Sequence, residues 1–195
     1  MASGQTEHYG LNQWEANDQV RREEFNADNA KLDAALEELK KALPVVKLRE
    51  WTIPEAANQV QLELDGIAPG DYTGLRLFIQ GFDWTGSTGI RLNGVATGYR
   101  HRWMSDLNDE AKTLLPFAYW KSSAGYLELY PLLDGTMAFS RGIQVLSAST
   151  ITKSDGHGWL PSLPYTQIET LQLVCEEAED TFGAGTRLTL YGLRY

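Results

Sequence analysis

The chain has 195 residues, 43% hydrophobic and 22% charged, with a formal net charge of −9. This is a globular composition, long enough for one domain of ordinary size plus an appendage. A pI of about 4.8 excludes a general binder of nucleic acid or anionic membranes, which needs a basic face to release counterions.

Residues 1–17 read as an extended polar leader, with Gly4, Gly10, Asn12 and Asn17. Tyr9, Leu11 and Trp14 form its one apolar cluster, suited to docking on another protein or to folding back as a staple over the helix that follows. Residues 18–44 then read as an amphipathic helix. Asn17 or Asp18 is its expected cap, Glu23 and Glu24 lie at the positive end of its dipole, and Pro44 stops it. Its stripe is Phe25, Asn29, Leu32, Leu36, Leu39 and Leu43, spaced alternately by four and three residues, a heptad of about three repeats. Such a stripe packs either on its own domain or against other copies in a short coiled coil. Asn29 favours the second, because a polar core residue sets register between identical helices and is costly against an apolar sheet.

From residue 45 to 195 the texture is short alternating strands: Val60–Asp65, Leu75–Gly81, Tyr126–Tyr130, Ile143–Ser147, Thr170–Glu176 and Thr186–Tyr195. Turn residues separate them at 65–71, 92–98, 133–135, 154–158 and 182–185. The segment Ser105–Leu115 reads as a loop with a helical turn or two. Many short strands without intervening helices predict an antiparallel β-sandwich, jelly-roll-like, behind the N-terminal helix. The last strand has apolar residues on both faces and belongs at the centre of a sheet.

Tyr9–Trp14, "YGLNQW", and Phe25–Leu36, "FNADNAKLDAAL", together resemble the N-terminal segment of phage and prophage tail-fibre-like and minor structural proteins. The resemblance covers about the first fifth of the chain. It implies an exposed β domain behind the segment, a homotrimer, a place in the virion, and attachment to other virion proteins through Tyr9, Leu11 and Trp14. It does not extend into the β domain.

Motifs for chemistry are sparse. His8, His101 and His157 form no metal-ligand spacing, and there is no P-loop or GxSxG. Cys175 is single and sits in an alternating strand, so it reads as a packed thiol. The first ten residues lack the apolar core of a signal peptide, and no apolar run reaches the roughly 18 residues of a membrane span. Glu176–Gly185 has oxygen ligands for a structural Ca²⁺ without the spacing of a dedicated site, so no cofactor is expected. Asp106, Asp109 and Glu110 are the carboxylates of a carbohydrate-active enzyme, the rival reading. Six tryptophans and nine tyrosines point instead to sugar stacking. Trp84, Tyr99, His101, Arg102, Trp103, Trp120, His157 and Trp159 are the expected ligand residues, carried on loops.

The expectation is therefore a non-enzymatic virion protein. It would trimerise through Phe25, Asn29, Leu32, Leu36, Leu39 and Leu43 and bind a bacterial surface glycan, without nucleic acid and without membrane insertion. A baseplate or capsid fibre of purely structural role is the nearer alternative.

Overall fold

The computed structural model describes residues 1–80, 88–103, 110–112, 115–118, 122–147 and 150–194. It divides into two compact units, Met1–Pro44 and Val45–Tyr195.

In the first unit, β1 (Gly4–Gln5) pairs antiparallel with β2 (Asn12–Gln13), and α1 spans Arg22–Ala42. Gly10 turns the hairpin at a φ of 59°, a conformation glycine adopts without a Cβ clash. Helix α1 is built from Ala, Leu, Glu and Lys, strong helix formers. Glu23 and Glu24 in its first turn and Lys40 and Lys41 in its last complement the dipole. The helix starts four residues later than the expected cap. Arg21 occupies the N-cap and makes no side-chain capping bond. The Asp18 carboxylate is engaged elsewhere, accepting from Ser3 N (2.9 Å), Ser3 Oγ (2.7 Å) and Glu15 N (2.8 Å). An aspartate that closes a turn on the leader is not available to cap a helix.

The second unit is mainly β. Its strands are β3 (Val45–Thr52), β4 (Gln59–Glu63), β5 (Gly74–Gln80), β6 (Thr88–Leu92), β7 (Tyr99–Trp103), β8 (Glu110–Lys112) and β9 (Leu115–Ala118). They continue with β10 (Ser122–Leu132), β11 (Gly135–Ser147), β12 (Thr150–Leu160), β13 (Thr170–Cys175) and β14 (Arg187–Leu193). One antiparallel sheet runs β3-β14-β5-β10-β11-β12-β7-β8, and a smaller one runs β4-β13-β6-β9. Leu75, Leu77, Ile79, Leu127, Leu129, Leu188 and Leu190 of the large sheet join Leu62, Ile90, Leu92, Leu171 and Leu173 of the small one in a single buried cluster. Alternation puts these side chains on one face of each strand. The last strand is central, as its two apolar faces predict: β14 lies between β3 and β5.

Two segments differ from their sequence reading. "SDGHG" at 154–158 is not a turn but the middle of β12, paired along β11. Gly156 and Gly158 are buried on the inward side, with His157 and Trp159 half-buried on the other, so the glycines keep the strand's alternation instead of breaking it. Within Ser105–Leu115, Glu110–Lys112 forms strand β8 against β7 rather than a helical turn. The turn at Asn93-Gly94 has both φ values positive, 50° and 67°, as a type I′ turn requires, and Val95 N donates to Leu92 O (3.0 Å) across it.

Candidate functional site

The first feature is the helix stripe. Phe25 is 54% exposed, Leu36 64% and Leu39 61%, and Leu32, Leu43 and Asn29 are exposed with them. Buried along α1 is instead a charged residue, Asp28. Its Oδ2 accepts from Asn12 N (2.9 Å) and its Oδ1 from Asn12 Nδ2 (3.0 Å), and the Lys31 ammonium lies 3.5 Å from Oδ1. Asn12 Nδ2 also donates to Glu24 O (3.1 Å), Trp14 Nε1 donates to Glu24 Oε2 (3.2 Å), and Lys31 Nζ donates to Gly10 O. The leader is therefore folded back and held along Glu24, Asp28 and Lys31. These lie about 90° round the helix from the stripe. The hairpin occupies the flank of the heptad and leaves its seam open. Leu11 and Trp14 are half-buried in this arrangement, while Tyr9 is 62% exposed.

The expected ligand aromatics do not form one loop cluster. Trp84 and Trp120 lie outside the described residues, as do the carboxylates Asp106 and Asp109. Tyr99, His101, Arg102 and Trp103 belong to strand β7, not to a loop. Tyr99 is fully buried, and its hydroxyl accepts from Leu92 N (2.8 Å). Burial pushes the phenol up to about 12. It is a core residue that satisfies a backbone donor, not the ligand residue that its sequence setting predicts. Register sets Arg102 opposite His157 and Arg100 opposite Trp159 across β7 and β12. Cys175 is buried, and desolvation, with Asp180 nearby, pushes its thiol up to about 12. At neutral pH it is a protonated packing group, not a nucleophile. Among the described residues no group of three or more His, Cys, Asp or Glu is placed to hold a metal ion.

Of the expected ligand residues, His157 leads to a site that the sequence alone does not reveal. It projects from the outward side of β12, where its ring centroid is 6.4 Å from that of Phe139 on β11. Phe139 meets Tyr130 of β10 edge-on at 6.0 Å. The Tyr130 hydroxyl donates to Glu128 Oε2 (2.8 Å), and Arg76 Nε donates to Glu128 Oε1 (2.7 Å), with Arg76 Nη2 on the same oxygen. The Arg76 guanidinium also stands 5.1 Å from the Tyr126 ring centre, a cation–π distance. Four adjacent strands thus present one connected aromatic and polar face. The register of three consecutive strands, with Arg76 brought in from β5, creates it, so no local motif announces it.

No protein-family profile, curated protein or solved structure matches the chain.

Proposed function

We propose that the chain is a structural protein of a phage virion, of the tail-fibre kind. Its N-terminal unit gathers three copies in a short parallel coiled coil. Its β domain, jelly-roll-like in character, is displayed outward to bind a saccharide of the bacterial surface. The observation that carries this reading is the open heptad stripe on α1. Phe25, Leu32, Leu36, Leu39 and Leu43 are 42–64% exposed, although the folded leader lies against the neighbouring flank of the same helix. A second and third copy of the same stripe, with Asn29 meeting Asn29, is the occupant that the heptad spacing fits. The resemblance of Tyr9–Trp14 and Phe25–Leu36 to phage structural proteins supplies the setting.

Magnitudes set the strength of the assembly. About half of each stripe side chain is left to bury, worth roughly 1–1.5 kcal/mol each, or on the order of 5–7 kcal/mol per chain. Association costs about 4–15 kcal/mol. The seam by itself therefore yields an assembly that dissociates on dilution, and a virion would reinforce it at the leader. Three weakly binding domains on one stalk gain avidity without any new contact.

The test is sedimentation of the full chain across a range of concentrations, beside Leu36→Glu and a chain lacking residues 1–43. The full chain should sediment as a trimer at high concentration and both variants as monomers. A full chain monomeric throughout overturns the reading. Turnover of a bound saccharide would instead mark a carbohydrate-active enzyme.

A further inference from the structure

The outward face of β10, β11 and β12 carries a groove lined, among the described residues, by strand positions alone. Register sets Tyr126 opposite Arg141, Leu127 opposite Ser140, and Glu128 opposite Phe139. It continues with Ser140 opposite Gly156 and Phe139 opposite His157. Two rows of outward side chains therefore run across the strands, two residues apart. Tyr126 and Arg141 form one wall; Glu128, Phe139 and His157 form the other. Between the rows the strands present only backbone, because Leu127, Ser140 and Gly156 face inward and are buried. The result is a groove of about 260 Å³, open to solvent.

We infer that this groove is a binding site for one ring of a neutral saccharide, a hexose or N-acetylhexosamine within a longer chain. The inference rests on the saccharide-binding reading above and gives it a place. Three properties select the ligand. First, Tyr126 and Phe139 stand on opposite walls, and Phe139 is 41% exposed although it is a large apolar ring. Aromatic faces of this kind stack on the C–H face of a pyranose. Second, the carboxylate on the wall is already neutralised. Glu128 is paired with Arg76 and takes the Tyr130 hydroxyl. Three bonds reach its oxygens, which leaves acceptor capacity for a sugar hydroxyl out of about four lone-pair sites. These oxygens only accept, so an anionic group finds no donor in them, whereas a sugar hydroxyl donates to them. Third, the volume is below the roughly 300–1,000 Å³ of sites that enclose a drug-sized ligand. It suits a single ring with its neighbours in solvent. The Ser140 and Gly156 floor keeps the ring close to the backbone, and the His157 nitrogens add polar partners at the rim.

The alternative occupant of an aromatic sheet face is a second copy of the chain. A groove with polar groups on both walls is a poorer match to a flat protein interface than to a ring with hydroxyls round its edge, and the test separates the two. The probe is an array of immobilised neutral oligosaccharides built from hexoses and N-acetylhexosamines, beside uronate- and phosphate-bearing ones. It is read with the full chain, Phe139→Ala, Tyr126→Ala and, as a remote control, Lys47→Ala. Sedimentation and melting are measured on each. The expected result is capture on neutral glycans, at least tenfold weaker for Phe139→Ala and for Tyr126→Ala. Lys47→Ala, oligomeric state and melting should be unchanged. Capture that neither ring variant weakens overturns the groove while leaving saccharide binding by the protein intact. No capture on any glycan overturns both. Capture confined to the acidic glycans overturns the neutral class. A smaller assembly for Phe139→Ala identifies the face as an interface between copies and also overturns the inference.

Discussion

Two tyrosines of the β domain carry opposite expectations. The Tyr99 hydroxyl accepts from Leu92 N inside the core, so Tyr99→Phe strands a buried backbone donor. It should lose about 1–3 kcal/mol of stability, seen as a lower denaturant midpoint at unchanged slope. The Tyr165 hydroxyl is buried with no hydrogen-bond partner among the described residues, and burial raises its pKa. Tyr165→Phe removes a desolvated hydroxyl and leaves nothing unpaired, so the midpoint should hold or rise. At Asp18 the hydrogen bonds from the Glu15 and Ser3 side hold the carboxyl below its usual range. Its folded pKa is thus lower than its unfolded value of about 3.9. The turn it closes is favoured above that value and loses this contribution as pH falls through the folded pKa. The Ser3 amide resonance should keep its position from pH 7 to 5 and shift only below about 4. A shift centred near pH 6 would mean that another group closes the turn. Little of this was legible beforehand. In sequence Tyr99 reads as a loop residue, because nothing local tells a ring on a short strand beside glycines from one at a loop tip.

Among the elements, α1 is a helix as its sequence predicts, with a different boundary. Its heptad was legible because a period of three and four is local, while its start was not, since Asp18 is taken up by Ser3 from 15 residues away. The consequence for design is separable control. Asp28→Ala should free the leader, because Asn12 loses both carboxylate contacts, and the Trp14 emission should move toward that of a solvated indole. Leu36→Glu should alter assembly while leaving Trp14 in place. If Asp28→Ala leaves the emission unchanged, the leader is held by something other than this carboxylate. Strands β4, β5 and β13 were legible from strict alternation, because one side of each faces the core and the other does not. Strand β12 was not: Gly156 and Gly158 imitate turn chemistry, and only their pairing with Ser140 and Ala138 reveals them as inward-facing strand positions.

For the whole molecule, an antiparallel β architecture over a shared core followed from the abundance of short strands and the lack of helical runs after Pro44. Which strands are neighbours did not follow. The order β3-β14-β5 depends on pairings more than a hundred residues apart, and no local preference encodes these. The face holding Glu128, Phe139 and His157 comes from three consecutive strands, but it depends on their register, which sets Glu128 opposite Phe139 and Phe139 opposite His157, and the turn-like glycines of β12 hide that register. One prediction belongs at this scale. Removing residues 186–195 takes away the strand that joins β3 to β5, along with Leu188, Leu190 and Leu193, each fully buried. The β domain of the shortened chain should show no cooperative unfolding transition in denaturant. A normal transition would mean that the remaining strands close the sheet by themselves.

The place of β14 also sets a schedule for synthesis. A ribosome delivers β3 early, yet its partner in the large sheet arrives only with Arg187–Leu193. Until then β3 has no strand to pair with, and one edge of β5 stays open, which is the condition in which nascent β proteins meet one another and aggregate. Chains translated side by side on one message would therefore pass through a shared period of risk.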